Sequence, residues 1–373
     1  MMGRLRQQGK AAEKGMIWVK LLTQKNISQK PKTAEQRQRD SLFAAECYAE
    51  MGGTAALVNS TEDIDEIEQK LADGLAAILD TVPSILALPE RIRAGELLGP
   101  LGDPRLLNPE TGNSRDGKYW CGIEGGKFWF DPHPLSVGEL ELRSLSYPFK
   151  IGRFSVTQSE YSLFVAANGY IDSDLWSKNG WKWIGSLQEG DYFWKKLELI
   201  QPSSLPMEYI SWYESMAYCN WLTNMGHQEG WLPFDNIIRL PTYQEWERTA
   251  RGIDKRTYPW GDAYDGESYA NIENIWGSPT PVGCFAQGSS ANGVVDLIGN
   301  IAVWTSTNKD LIEELQPTID DAHEELYVLH TDFVEPLSPI GAVICTNNPQ
   351  NETEAVGFRL VMAPRTLPGD NEE

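Results

Sequence analysis

Large aromatic rings are concentrated in one part of this 373-residue chain. Thirteen of its 14 tryptophans lie at or beyond Trp120, where the intervening segments are rich in glycine, asparagine and proline. A tryptophan ring buries a large apolar area, and its N–H needs an acceptor that irregular backbone can supply. This part of the chain must therefore fold as a domain in which ordered loops contact much of the core.

The secondary structure predicted for that part is short and mixed. Strand-like segments at 127–130 and 149–156 precede amphipathic helices around 213–224 and 243–251. No alternating strand–helix repeat appears, which argues against a doubly wound parallel sheet. The pattern predicts an α+β domain over residues 116–373.

A helical module with a linker is predicted for residues 33–115, ahead of this domain. Three capping signals each precede a run with helical periodicity, and the second run has an apolar stripe. The expected helices form a structural module rather than a recognition bundle. The signals are Thr33 before a run that ends at Gly52, Ser60 before the run 61–79, and Pro89 in the first turn of the third helix.

Charge and composition limit the partners of the chain. Its 53 acidic and 32 basic residues give a formal charge of −21, which repels a phosphate backbone, so duplex nucleic acid is not an expected partner. Residues 1–32 form a basic tail with eight basic side chains and one acidic side chain. No apolar run approaches the roughly 20 residues that cross a bilayer, so no membrane association is expected. Five scattered cysteines without a C-x-x-C pair fit a reducing cytoplasm.

Several motifs resemble, in order, the formylglycine-generating-enzyme-like (sulfatase-modifying-factor) domain. The resemblance covers roughly residues 118–363 and implies a C-type-lectin-like α+β fold, in which a small sheet and helices hold long surface loops. The motifs are ISWYESMAYCNWL at 210–222, RLPT at 239–242 before EWE at 245–247, ARG at 250–252, YPWGD at 258–262, DLIGN at 296–300 with VWT at 303–305, and GFR at 357–359.

Charged residues inside these motifs have structural interpretations. Arg239 and Arg359 stand in apolar contexts, where a guanidinium can tie loop carbonyls and carboxylates together. Glu214, Glu245 and Glu247 are interpreted as tethers between loops rather than as a general acid–base pair.

The resemblance also implies a metal chemistry whose residues the chain lacks. Enzymatic members oxidise a substrate cysteine with two thiolates that bind copper(I). Alignment on the closing Gly-Phe-Arg places these two positions at Thr331 and Pro336, and Cys345 lies nearby but alone. The sequence therefore predicts that the chain is not an enzyme.

Iron chemistry is disfavoured on similar grounds. A sister branch of the family that forms sulfoxides holds iron with three histidines, and no suitable histidine spacing occurs here. The four histidines are His133, His227, His323 and His330.

Calcium is the one cofactor for which candidate residues remain. The family's N-x-W-E-W segment reads Asn-Ile-Ala-Val-Trp over 300–304, so Val303 replaces the carboxylate that would support the ion. Asn271 matches a second calcium-binding stretch. It is the candidate for a structural calcium ligand, and no other cofactor is expected.

The loops near the C-terminus have the composition of a recognition face, because polar residues surround a few apolar anchors. The leading hypothesis is a non-catalytic recognition or adaptor protein of a bacterial signalling or defence system, with a protein partner such as an NTPase or protease effector subunit. The variable proteins of diversity-generating retroelements are a related branch. Candidate ligand-binding residues are His330, Asp332, Phe333, Glu335, Cys345, Asn347, Asn348 and Glu352.

An alternative hypothesis keeps the chemistry of the family. A new active site can arise on an old fold, since function resides in the site rather than in the scaffold. In that case the chain is an oxidoreductase with a relocated site, near Cys345 or Cys284.

Overall fold

A computed structural model describes most of the chain. It covers residues 19, 32–53, 63–132, 140–187, 203–263, 268–272, 276–308, 317, 326–330, 343–352 and 355–366, with backbone alone for 326–330 and 343–347. The chain divides into two compact units, one of residues 1–104 with 202–204 and one of residues 105–201 with 205–373. Within the described ranges, no helix is both long and apolar enough to span a membrane.

Over residues 32–104 of the first unit, the described residues form three helices that pack against one another, α1 (Ala34–Met51), α2 (Ile64–Leu79) and α3 (Leu88–Leu98), and a 3-10 turn at Gly99–Leu101. Thr33 caps α1 and Gly52 ends it with a φ of 102°, as predicted. The cap predicted at Ser60 is wrong, because α2 begins later and Asp63 accepts the N–H of Glu66. The acidic first turn of α2 complements the positive helix N-terminus there.

The second unit contains four helices and ten strands among its described residues, together with 3-10 turns at Ser173–Leu175 and Ala286–Gly288. The helices are α4 (Gln158–Ala166), α5 (Lys178–Ser186), α6 (Trp212–Glu229) and α7 (Tyr243–Arg251). The strands are β1 (Trp120–Ile123), β2 (Gly126–Phe130), β3 (Glu141–Leu145), β4 (Phe149–Gly152), β5 (Asn236–Arg239), β6 (Ala302–Asn308), β7 (Leu326–His330), β8 (Val343–Asn347), β9 (Val356–Phe358) and β10 (Val361–Pro364).

These strands form three small sheets. Two have four strands, in the orders β1-β4-β10-β5 and β8-β7-β6-β9, and β2 pairs with β3. All pairs are antiparallel except β6 with β9. We call β8-β7-β6-β9 the terminal sheet. Alternate residues of its strand β6 face two different cores: Trp304 packs with the rings of α6, and Val303 packs with those of α7. The predicted α+β class with a preceding helical module is confirmed.

Two buried arginines hold the loops of this unit, as their apolar sequence context predicted. Arg239 makes a two-pronged ion pair with Glu245, both contacts measuring 2.7 Å, and Tyr147 donates to the same carboxylate. Arg359 instead donates to three backbone carbonyls, those of Gly152, Val295 and Asp296. The Arg359 guanidinium therefore links segments that are distant in sequence, whereas Arg239 joins the end of β5 to the start of α7, and Tyr147 adds a distant segment through Glu245.

The Arg239–Glu245 pair makes a testable contribution to stability. Both side chains are 1% exposed or less, so Arg239→Met leaves a buried carboxylate without its cation, and we expect a loss of about 3–5 kcal/mol in the free energy of unfolding. The matched control is Arg256→Met, which breaks an ion pair with the exposed Asp254 and should cost under about 1 kcal/mol. Urea unfolding measures both, and equal losses would contradict this role.

The same pair makes stability depend on pH with a definite sign. Burial by itself would raise the pKa of Glu245, but the charge and hydrogen bonds of Arg239 outweigh it and hold that pKa below its usual value. A lowered pKa stabilises the folded protein above the ordinary carboxyl pKa, and this stabilisation is lost as the pH falls below about 4. The difference between wild type and Glu245→Gln should therefore shrink between pH 7 and pH 3.

Candidate functional site

The start of α6 is fixed by a reciprocal capping motif. The Ser211 hydroxyl accepts the N–H of Glu214, and one carboxylate oxygen of Glu214 accepts both the N–H and the hydroxyl of Ser211 at 2.9 and 2.8 Å. This arrangement satisfies N–H groups that a helix start leaves without partners. It also holds the Glu214 carboxylate in one orientation, with its second oxygen turned to the interior.

Two tyrosines extend this motif into a buried chain of hydrogen bonds. The Tyr170 hydroxyl donates to the second oxygen of Glu214 at 2.6 Å and lies 2.7 Å from the Tyr161 hydroxyl. Because the Tyr170 proton points to Glu214, Tyr161 is the donor of the bond between the phenols. We call Ser211, Glu214, Tyr170 and Tyr161 the tyrosine–glutamate chain.

Both phenols of the tyrosine–glutamate chain stay protonated. Tyr161 is 0% and Tyr170 8% exposed. Burial, reinforced by the negative charge of Glu214, raises the pKa of Tyr161 and Tyr170 well above that of a free phenol. At neutral pH the chain can therefore donate protons in hydrogen bonds but carries no phenolate.

The terminal sheet docks on the same end of α6. The Trp304 indole N–H donates to the carbonyl of Ile210, and the Trp212 indole N–H donates to that of Thr305. The Phe358 ring meets the Tyr161 ring edge-on at a centroid distance of 6.1 Å. One face of the terminal sheet is thus packed against the tyrosine–glutamate chain.

Strand register places two predicted site residues on this face. Trp304 of β6 pairs with Val328 of β7, which in turn pairs with Cys345 of β8. Directly paired positions share one face of a sheet, so position 345 lies in line with Trp304. Position 330, two residues beyond 328 on β7, shares that face and is the diagonal neighbour of position 345.

The turn after β8 brings further predicted residues to α6. Pro349 is buried, and its carbonyl accepts the N–H of Trp212, the first residue of the helix. Asn348 is exposed and accepts the N–H of Gln350. Glu352 is half-buried, and its negative charge adds to the rise in the pKa of Tyr161 that burial and Glu214 cause. Glu352 therefore lies within electrostatic reach of the tyrosine–glutamate chain.

The predicted ligand-binding residues thus fall into three groups. Asn348 and Glu352 lie in the turn beside α6, and His330, Cys345 and Asn347 hold backbone positions in β7 and β8. The remaining predicted positions are outside the described residues: Asp332, Phe333 and Glu335, together with Thr331 and Pro336, which align with the copper ligands.

Tyr161 and Tyr170 were not identified from the sequence. The S-x-x-E spacing of Ser211 and Glu214 predicts a capping motif. Neither tyrosine lies near it in sequence, and only the packing of α4 and of the segment that follows it against α6 brings the phenols to the carboxylate.

The described residues do not fit the copper site of the family. Cys47, Cys121, Cys219 and Cys284 are buried and form no disulfide, and burial raises the pKa of Cys121 and Cys219, which disfavours the thiolate that copper(I) needs. No group of three or more histidine, cysteine or acidic side chains suited to a metal ion occurs in the described ranges. The alternative site near Cys284 has no access to solvent, because that residue is 0% exposed.

Comparison with known families identifies the domain. Residues 110–364 match the family described as "Sulfatase-modifying factor enzyme 1-like domain", which is more than half of the chain. The protein therefore belongs to the formylglycine-generating-enzyme-like (sulfatase-modifying-factor) family, as the motifs indicated.

The relatives of this chain include proteins named as an active enzyme, as an inactive enzyme and as a variable protein. The chain is 31% identical over 175 residues to hercynine oxygenase of Mycobacterium tuberculosis, a match that covers 43% of this chain and 37% of that enzyme. It is 25% identical over 313 residues to mouse inactive C-alpha-formylglycine-generating enzyme 2, covering 70% and 90% of the two chains. The solved structure of Treponema denticola variable protein 1 matches with a TM-score of 0.43 and 18% identity, covering 66% and 95%.

The oxygenase matches correct one prediction. The absence of the aligned cysteine pair predicted that the chain is not an enzyme. That prediction is wrong: hercynine oxygenases of three mycobacterial species are among its relatives, at 29–31% identity. The chain spans only 35–41% of the length of these enzymes, so their activity does not pass to it directly. The missing pair excludes one ligand set, not all chemistry on this fold.

The tyrosine–glutamate chain can be tested by removing one hydroxyl. Tyr170→Phe deprives the Glu214 carboxylate of a donor and should cost about 1.5–3 kcal/mol in the free energy of unfolding, because hydrogen bonds to charged groups are the stronger ones. Tyr218→Phe removes a hydroxyl outside the chain but in the same core, and serves as the control. Urea unfolding measures both variants, and a loss for Tyr170→Phe no larger than the control's would refute the role assigned to this bond.

Proposed function

We propose that this protein is an oxidoreductase of the formylglycine-generating-enzyme-like family that oxidises a sulfur-containing substrate with dioxygen. The observation that carries the proposal is the 31% identity to an enzyme named hercynine oxygenase over 175 residues. The sulfur-containing substrate class follows from the resemblance, since the enzymatic branches oxidise a thiol or form a sulfoxide. In such a reaction electrons leave the substrate and dioxygen accepts them.

The proposed site is the face of the terminal sheet that meets α6. Positions 330 and 345 share that face, so a histidine and a cysteine stand as diagonal neighbours there. An imidazole and a thiolate can both bind a transition metal, and the imidazole can also transfer protons while the thiol can take part in sulfur chemistry. The histidine at the diagonal position is what favours Cys345 over Cys284 as the reactive thiol.

The surroundings support a polar substrate at this face. Glu352, half-buried beside the tyrosine–glutamate chain, offers a carboxylate to a cationic group, and the exposed Asn348 offers an amide. The protonated phenols hold the Glu214 carboxylate and the start of α6 in place but cannot act as bases. Chemistry at the face is therefore assigned to His330 and Cys345, with Tyr161 as a positioning residue.

The experiment is oxygen consumption by the purified full chain. Candidate substrates are cysteine, a cysteine-containing peptide, and cysteine together with a trimethylated histidine, each with iron(II) or copper(I) added in turn. We expect consumption coupled to a mass-identified oxidised sulfur product in at least one combination. No consumption above the protein-free rate in any of them would contradict the proposed activity.

The location of the site is tested by variants in the same assay. Cys345→Ser and His330→Ala should each lower turnover by roughly 100-fold or more, as expected when a reacting or ligating group is removed. His227→Gln is the matched histidine control, because His227 is bonded to the carbonyls of Pro233 and Asn236 at the far end of α6. Full turnover in both site variants, with loss in Cys284→Ser, would move the site to Cys284.

A further inference from the structure

Two asparagine side chains that the sequence connects with calcium meet in the structure. The Asn271 amide N–H donates to the side-chain oxygen of Asn300 at 3.2 Å, and the backbone N–H of Asn300 donates to the Asn271 carbonyl at 3.0 Å. Ser278 and Thr280 of the intervening loop complete the group. We call Asn271, Ser278, Thr280 and Asn300 the asparagine clasp.

The oxygen that would face a cation already accepts three hydrogen bonds. Besides the Asn271 amide, the backbone N–H of Thr280 donates to the Asn300 side-chain oxygen at 2.7 Å and the Thr280 hydroxyl at 3.1 Å. A backbone N–H can only donate, which identifies the acceptor as the amide oxygen. The Asn300 amide N–H donates back to the Thr280 carbonyl at 3.0 Å, so both ends of this side chain are held.

The Asn271 side chain is also held by the protein. Its amide N–H donates to the carbonyl of Ser278 at 3.0 Å as well as to Asn300, and the residue is 9% exposed. A close backbone approach makes this possible: Gly299 has a φ of 75°, and a Cβ there would lie 2.4 Å from the Asn271 carbonyl oxygen. Only glycine permits that contact without displacement.

Calcium needs a different arrangement of the same residues. The ion takes six to eight oxygen ligands at about 2.3–2.6 Å. Here donor hydrogens converge on the Asn300 oxygen, and their positive ends repel a cation. The residue at the carboxylate position, Val303, is 5% exposed and packs in an apolar core, where it offers no ligand. The described residues therefore do not fit a calcium ion at the asparagine clasp.

We propose that the asparagine clasp replaces calcium and holds residues 271–272, 278–280 and 299–301 together without a metal. In a calcium-bound loop the positive charge beside such an oxygen comes from the ion. Here it comes from donor hydrogens, which belong to the Thr280 N–H, the Thr280 hydroxyl and the Asn271 amide. The strength of the clasp then comes from its buried hydrogen bonds, and the Thr280 hydroxyl is one of its essential donors. This inference is independent of the activity proposed above.

The intact protein provides the first test. After dialysis against a chelator, the full chain should contain less than one calcium per ten chains by elemental analysis, and its thermal midpoint should be the same in chelator and in excess calcium. A stoichiometric calcium content, or a midpoint raised by calcium by more than roughly 2 °C, would overturn the proposal.

Variants then test the donors themselves. Thr280→Val keeps the shape but removes the hydroxyl, and should lower the midpoint by roughly 2–4 °C equally with and without calcium. Thr280→Ser keeps the hydroxyl and should restore most of that shift. Asn292→Ala is the control, because the exposed Asn292 amide donates a hydrogen bond to the Gly122 carbonyl outside the clasp. A Thr280→Val midpoint equal to that of wild type, or one that calcium rescues, would refute the clasp.

Discussion

The Glu214 carboxylate is the interaction on which the arrangement of the site depends. One buried side chain, 0% exposed, caps α6 through Ser211 and accepts the Tyr170 hydroxyl, which in turn is bonded to Tyr161 of α4. A buried carboxylate is tolerated only when donors surround it. Because its donors come from two separate segments, Ser211 at the cap and Tyr170, the carboxylate sets where α6 starts, and the terminal sheet and the turn at Pro349 dock on that start.

Two other helices of the second unit also begin with a glutamate that closes the cap and makes a further contact. Glu160 caps α4 through Thr157 and accepts the backbone N–H of Leu107, and Glu245 caps α7 through Thr242 while pairing with Arg239. The Glu160 carboxylate thereby binds a segment 53 residues away, and the Glu245 carboxylate also accepts the Tyr147 hydroxyl from 98 residues away. One carboxylate thus makes both a helix cap and a tertiary contact. Such contacts stabilise the long loops of this domain, whose described residues form only three small sheets.

The sequence predicts the helix caps among these interactions, but it does not predict the tertiary contacts. Capping signals and helical periodicity predict the helices at 33–52 and 243–251. Charged residues in apolar context predict the tethering roles of Arg239 and Arg359. The Tyr170–Glu214 contact spans 44 residues and depends on tertiary packing alone. The capping of α2 by Asp63 rather than Ser60 is a smaller limit of the sequence, since both residue types can cap a helix.

The wrong prediction about enzymatic activity rested on motif alignment. Such an alignment tests whether one ligand set stands at fixed positions, and it does not test positions such as 330 and 345, which strand register makes neighbours. Asn271 illustrates the converse, because a residue type typical of calcium sites is here directed to Ser278 and Asn300 by hydrogen bonds. Residue type indicates which chemistry is available, and geometry selects among the options.

The most direct test of the account is the reactivity of Cys345 in the native protein, followed by mass spectrometry after brief alkylation. We expect Cys345 to be alkylated at least ~10-fold faster than the fully buried Cys219. We also expect this alkylation to be slowed by the sulfur compound that supports oxygen consumption. If Cys345 is alkylated as slowly as Cys219, or at the same rate with and without substrate, the terminal sheet does not carry the active site.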